Sequence, residues 1–382
     1  MSKLQLALQF CLQLAIILAA CRTAGNLMLR IGQPRVIGEM IAGIVLGPSV
    51  LGLFAPAVQT LLFPPASLGV LSTLSQIGLV LYMFVVGMHL HTNFIRRAFR
   101  GAMLISLAGV VAPFLLGAGL AAFLYADGRF FTSSVSSWQS MIYLGAAMSV
   151  TAFPVLARII QERGIGGTAL GTLALAAGAA DDIIAWSLLG IVLISVDRDF
   201  GVVRFLASHA VFVAFVIGAL TPRGRLTDEL GRRIEPLASF VLVPLFFAFS
   251  GLSTHLNLLW STELLWLSIT VILIASVGKA AGCWGAARLA GRPNREAMAI
   301  GALMNARGLM EFVILNIGLQ RGLITPTLFT VMVTMTLVTT MAAGPLFEWA
   351  WRGSAEAQAA ERRGATGPRK RSGPSGVGAP AN

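Results

Sequence analysis

Charge is what this 382-residue chain has least of: Asp, Glu, Lys and Arg together make up 12% of it, against 56% hydrophobic residues. Soluble domains carry roughly twice that share of charge. A water-soluble fold is therefore excluded, and lipid is the solvent the sequence is written for. Acids are the scarcer sign, with 16 Asp and Glu against 28 Lys and Arg. A formal charge of +12 on a soluble chain would raise nucleic acid as a partner. Here the basic residues fall in short loops between apolar runs and in the C-terminal tail, so membrane orientation is the better explanation and no nucleic acid is expected. Cysteine is also short, with Cys11, Cys21 and Cys283 alone. They offer neither a disulfide framework nor metal-ligand spacing and are read as packing residues. Short alternating segments of barrel type are missing, which leaves helices.

What is present is a succession of apolar runs, each near the roughly 20 residues a membrane crossing needs. They predict an all-α polytopic membrane protein with about eleven spans, near 4–29, 36–54, 67–88, 101–125, 139–160, 168–195, 202–220, 236–252, 260–287, 296–318 and 323–350. The run at 4–20 has one lysine ahead of it and no small-residue cleavage site, so it is read as the first span rather than a secretory signal. If the chain changes sides at each span, one side with the tail collects 21 of the 28 Lys and Arg. The opposite side has Lys3, Arg129, Arg198, Arg204 and Arg321. That bias predicts an N-terminus outside and a cytoplasmic C-terminus. Residues 1–352 form the expected transmembrane domain; 353–382, rich in Gly, Pro, Ala and charge, form an expected disordered basic cytoplasmic tail that meets, at most, lipid headgroups.

The halves echo each other. RVIGEMIAGIVLGPSVLG and GVLSTLSQIGLVLYMFVVGMHLH have weak counterparts in HAVFVAFVIGALTPRGR and IEPLASFVLVPLFFAFSGLSTHL. A first repeat of about 36–195 and a second of about 202–350, five helices each, would enter the membrane in opposite senses, a plan of secondary transporters.

Ionisable groups inside spans cost roughly 2.5–3.5 kcal/mol each at a helix centre, so those retained are functional candidates. They are Glu39, Asp181, Asp182, Lys279, Arg307 and Glu311. Asp181 and Asp182 point about 100° apart on a helix and must face different neighbours. A buried carboxylate can hold a proton or, deprotonated, a small cation such as Na⁺ or K⁺, but not both. That competition is the core of an antiporter; a structural acid pair is the alternative. Protease chemistry is a poorer fit, because it needs two acids on separate elements, and no enzyme activity or cofactor is expected. Lys279, flanked by Gly278 and Gly282, needs a counter-charge, and either aspartate would serve. Pro154 predicts a helix break near Thr151–Phe153 that frees carbonyls and the Thr151 hydroxyl for an ion. Asn305, Arg307, Gly308 and Glu311 interrupt the matching span of the second half. Arg307 and Glu311, four apart, can pair on one face or act directly. Glu39 is either a polar anchor or part of an ion path.

The segments GEMIAGIVLGPSVLG, GLVLYMFVVGMHL, SVTAFPVLARII, AADDIIAW, PLFFAFSGL, GKAAG and MNARGLMEFVILNIG resemble, in order, those of the bacterial monovalent cation:proton antiporters of the second subfamily, relatives of potassium-efflux and sodium/proton antiporters. The likeness implies an inverted-repeat antiporter fold with two broken crossing helices in a six-helix core, a panel of helices for dimerisation, and elevator-like alternating access in the bacterial inner membrane. It implies that Asp182 binds the ion and the proton, that Asp181 pairs with Lys279, and that Thr151 is a ligand at the break. The family usually has thirteen spans. Here DRDFGVVRFL fills the place of two of them, so the implied homodimer lacks one interface helix. A channel-like potassium-efflux system, or a non-transporting scaffold or sensor left by helix loss, are the competing expectations.

Overall fold

A computed structural model describes residues 3–89, 99–166, 168–196, 210–222, 224–256 and 261–352. The described residues are almost entirely helical, with no strand beyond one isolated bridge between Phe131 and Ile324. The expected tail at 353–382 and the stretch expected to replace two helices, DRDFGVVRFL at 197–206, lie outside them.

α1 (Lys3–Arg30) is followed by α2 (Arg35–Leu46), which Pro34 opens and Gly47 closes. Two short helices, α3 (Leu51–Phe54) and α4 (Pro56–Leu62), then lead into α5 (Pro65–His89). Gln9 and Gln13 on α1 meet the last carbonyls of α4: both amides donate to the Leu62 oxygen, at 2.9 and 2.6 Å. Helix-end carbonyls have no partner within the helix, so this is what lets α4 end inside an apolar layer.

α6 (Phe99–Asp127), α7 (Ser137–Ser149), α8 (Phe153–Glu162) and α9 (Ala169–Val196) complete the first half. In the second, α10 (Ala210–Leu220) precedes α11 (Arg225–Leu237), a π-helical turn at Ala238–Leu242, and α12 (Val243–Leu252). Pro236 supplies no backbone donor just before that turn, which accounts for the widened ladder. α13 (Thr262–Leu289), α14 (Asn294–Met304), α15 (Leu309–Gln320) and α16 (Pro326–Trp351) follow.

Among the described residues the expected spans fall largely on helix, though not always on one unbroken helix, and the span at 202–220 is described only from Ala210. Seven stretches of the described residues are long and apolar enough to cross a membrane. The expected spans at 139–160 and 296–318 are each split in two, as α7/α8 and α14/α15.

Small residues set the closest crossings. A side-chain carbon on Gly43 of α2 would come 2.3 Å from the Ala248 carbonyl oxygen on α12, and one on Gly251 would meet the Ile44 nitrogen at 2.6 Å. α13 lies antiparallel on α6, with Gly282 against Ala108 and Gly278 against Leu116 and Pro113. Between apolar helices in lipid, such backbone contact supplies the packing that hydrophobic burial supplies in water.

Candidate functional site

α9 carries Asp181 and Asp182 at its middle, both fully buried, in an otherwise apolar run. They differ completely in their surroundings. One Asp181 oxygen, Oδ1, accepts from the Ser106 hydroxyl at 2.7 Å. The other, Oδ2, accepts from the Thr151 hydroxyl at 2.5 Å and from the Lys279 ammonium at 2.7 Å. Four helical segments, α6, α9, α13 and the α7/α8 break, thus converge on one carboxylate. The Asp181–Lys279 pair has both side chains at 0% exposure. Removing one partner of such a pair costs about 3–5 kcal/mol, because the other charge is left uncompensated.

Neither Asp182 oxygen accepts a hydrogen bond among the described residues. The Phe153 backbone N–H acts on it electrostatically without reaching ordinary hydrogen-bond geometry. Phe153 is the first residue of α8, so the Asp182 carboxylate sits at the positive end of that half-helix.

The break covers Val150–Ala152, one residue earlier than Pro154 suggested. The reason is that proline is well accommodated in the first turn, where its missing N–H would have been unpaired anyway. Pro154 is the second residue of α8, and the extended backbone falls ahead of it.

The carbonyl end of α7 receives two cations. Lys279 donates to the Ser149 oxygen at 2.5 Å and Arg307 to the Met148 oxygen at 2.7 Å. These are end groups with no intrahelical partner, at the negative pole of the half-helix. Arg307 comes from the second break, Asn305–Gly308, and the two breaks touch: the Ala152 N–H donates to the Ala306 carbonyl at 3.1 Å. Gly308 has φ +150°, and a side chain there would press on Val155 at 3.2 Å, which is why this unwound turn takes glycine. The Thr151 hydroxyl also lies 3.1 Å from the Met304 carbonyl. Having a single proton, it serves the closer Asp181 oxygen, so the Met304 oxygen keeps a lone pair facing the crossing.

The sequence candidates therefore fall in three groups. Asp181, Thr151 and Lys279 are bonded directly. Asp182 and Pro154 flank them, while Asn305, Arg307 and Glu311 belong to the second break and the first turn of α15. Arg307 Nη1 is 3.6 Å from Glu311 Oε1, and both side chains are fully buried. The Asn305 Oδ1 atom and both Glu311 carboxylate oxygens meet no partner of hydrogen-bond geometry among the described residues. Glu39 is buried and lines a cavity of about 340 Å³ with Arg35, Tyr82, Val155 and Ser239, between α2, α5, α8 and the π-helical turn. Sequence reading missed Ser106: one serine in an apolar helix carries no motif, and only the fold aims it at Asp181.

No group of three or more His, Cys, Asp or Glu able to hold a resident metal occurs among the described residues. The chemistry on offer is that of buried oxygens: a carboxylate, a hydroxyl and backbone carbonyls at helix breaks. Such hard donors suit a proton or a small cation.

Comparison with known proteins shows the family and the fold. Residues 15–204 and 194–353 match the family described as "Sodium/hydrogen exchanger, transmembrane". The two matched stretches meet where the sequence reading placed the missing pair of helices. The chain is 37% identical to the Na(+)/H(+) antiporter NhaS4 of Synechocystis, over 87% of this chain and 94% of that protein. That alignment runs over 389 residues, longer than the chain, so the relative carries residues absent here. It is 34% identical to Cation/H(+) antiporter 17 of Arabidopsis thaliana over 88% of this chain, which spans only 47% of the plant protein. Among solved structures, the sodium proton antiporter MjNhaP1 from Methanocaldococcus jannaschii at pH 8 superposes with a TM-score of 0.59, covering 91% of this chain and 98% of the other at 11% identity, a likeness of fold.

Proposed function

The chain belongs to the sodium/hydrogen exchanger family, and on that premise we propose that it exchanges a monovalent cation, Na⁺ or K⁺, for protons across a cell membrane by alternating access. The observation that carries the reading is the contrast within one pair. Asp181 is held by three donors, whereas the buried carboxylate of Asp182 has no hydrogen bond from any described residue. A buried carboxylate not already claimed by a side-chain donor binds a proton or a cation, and one excludes the other.

In this reading Asp182 is the exchange site. The Thr151 hydroxyl and the carbonyls freed at the two breaks, Met304 among them, complete the oxygen set around a cation. Pro154 fixes where α8 starts. Asp181 is the anchor of Lys279, which together with Arg307 neutralises the carbonyl end of α7. Asn305 and Glu311 support the second break. The cavity beside Glu39 supplies an access route between the helices α2, α5 and α8, and Glu39 becomes a station on the ion path.

Around this site we read two inverted repeats, about 36–195 and 202–350, a core that carries the crossing helices and moves against a panel, and a homodimer short of one interface helix. Exchange is electrogenic, because Lys279 can release Asp181 for a further proton. The membrane is the bacterial inner membrane, with the N-terminus outside and the tail from 353 in the cytoplasm, on the arginine-rich side.

The test is proton flux in proteoliposomes that contain a pH-sensitive dye. Adding Na⁺, K⁺ or Li⁺ dissipates an imposed pH gradient if the reading holds. Cation flow without proton movement would mean a channel, and no response to any cation would mean a scaffold; either overturns it.

A further inference from the structure

An apolar recess lies away from the exchange site, lined by α13, α14 and α16. It encloses about 440 Å³ and runs from Trp284 and Asn294 at one end to Val277 and Asn305 at the other. Asn305 is the residue at which α14 ends, so Asn294 to Asn305 spans about 16 Å at the ~1.5 Å rise of a helix. That is about half of the ~30 Å hydrocarbon core, the depth of a single leaflet. Its rim is open and apolar, with Trp349 exposed at 69% and Val277 at 60%.

The end marked by Trp284 is basic. Arg288 lies one turn beyond Trp284 on α13, and Arg295 is the neighbour of Asn294. Trp284 itself donates to the Asn294 side chain at 2.8 Å, which ties the two helices at this rim. Arg292 is engaged with Glu296 at 3.6 Å. Arg288 and Arg295 are exposed and form no ion pair with a carboxylate among the described residues; one Arg288 Nη donates to the Arg292 carbonyl at 2.8 Å, which leaves the charge itself unmatched. A one-leaflet apolar slot with tryptophan at the interface and two uncompensated guanidinium groups above it matches one ligand chemistry, a lipid with an anionic head.

We propose that this groove is a binding site for an anionic phospholipid of the arginine-rich leaflet, one acyl chain lying between α13, α14 and α16 and the phosphate on Arg288 and Arg295. The chain's own tail is a poor occupant although it starts beside Trp349: residues 353–382 have no apolar face and add five Lys and Arg to an already positive rim. The groove backs onto Asn305, at the end of α14, so a bound lipid would travel with the second broken helix.

The measurement is quenching of tryptophan fluorescence by phospholipids brominated on the acyl chain, with the protein in phosphatidylcholine vesicles. Brominated phosphatidylglycerol should quench at a several-fold lower mole fraction than brominated phosphatidylcholine, and a Trp284→Phe/Trp349→Phe protein should lose that excess. Arg288→Gln with Arg295→Gln should equalise the two lipids, whereas Arg288→Lys with Arg295→Lys should keep the preference. Ala302→Leu, which fills the slot, should reduce quenching by both. Equal quenching by the two lipids in the wild-type protein overturns the proposal, and so does a headgroup preference that survives the double glutamine change. The readout does not depend on ion exchange.

Discussion

Asp181 and Asp182 are neighbours on one helix, yet Asp181 accepts three hydrogen bonds, from Ser106, Thr151 and Lys279, and Asp182 accepts none from the described residues. In the proposed reading these two buried carboxylates have opposite tasks: one is the counter-charge of Lys279 and the other takes the incoming ion. Two predictions rest on that division, a third on helix packing elsewhere in the fold, and a fourth on the distribution of arginines along the chain.

Asp182→Asn should reduce cation-driven proton flux by at least 100-fold while the protein stays monodisperse in detergent, because an amide is isosteric but cannot carry the proton. Asp181→Asn should instead lower stability, since Lys279 would then be a buried charge without its partner, at a cost of about 3–5 kcal/mol. Flux in liposomes and melting temperature in detergent separate the two effects. Exchange at the wild-type rate in Asp182→Asn would remove that residue from the site.

If Lys279 releases Asp181 within the cycle, as proposed, exchange is sensitive to voltage. With valinomycin clamping proteoliposomes at different potentials, exchange should change steeply, since each net charge moved is biased by about 2.3 kcal/mol per 100 mV. Lys279→Gln should flatten the dependence. If the wild type itself is indifferent to potential, Lys279 is a permanent counter-ion and nothing more.

Gly43→Ala should destabilise the protein without touching the exchange site. The added methyl carbon would lie 2.3 Å from the Ala248 carbonyl, and backbone rather than a flexible side chain must yield. Overpacking of this kind costs about 1–3 kcal/mol. A melting temperature equal to that of the wild type would show that α2 and α12 are free to separate.

The orientation is open to direct labelling. A cysteine introduced in the tail beyond residue 353, in a background lacking Cys11, Cys21 and Cys283, should resist an impermeant maleimide on intact cells and react after permeabilisation. Reaction on intact cells would reverse the orientation or change the number of crossings.

Much of this site is legible in the sequence because the features are costly ones. A lysine, an arginine and three acids inside apolar runs have no cheap explanation, and Pro154 and the Asn305–Gly308 turn announce where helices must stop. The partner of Lys279 follows less directly, since either aspartate satisfies charge balance; the family likeness implies Asp181, and it is to Asp181 that Lys279 donates, at 2.7 Å. Ser106 is invisible for the opposite reason: a hydroxyl in a membrane helix is inexpensive, so its presence signals nothing until α6 packs against α9. Arg307 is legible as to existence but not as to task. Its spacing from Glu311 suggests an ion pair, and that contact is present at 3.6 Å, yet its shorter bond is to the Met148 carbonyl on a different helix. The π-helical turn at 238–242 escapes sequence reading because Pro236 predicts a disturbance without specifying its form.

The contact between Ala152 and Ala306 also sets an order on biogenesis. α7 and α8 have 13 and 10 residues, about 20 and 15 Å of helix, so neither alone bridges the ~30 Å of hydrocarbon. Their broken ends are covered by groups that the ribosome delivers much later: Lys279, Arg307 and the backbone of Ala306, the last about 150 residues downstream. At about 5–20 residues per second, the first broken helix must wait on the order of ten seconds or more for its cover. During that interval it has to be sheltered by the insertion machinery or lie at the water interface. The exchange site is thus among the last parts of the molecule to be assembled, and a chain interrupted before Arg307 would leave an uncapped helix end in the membrane for quality control to find.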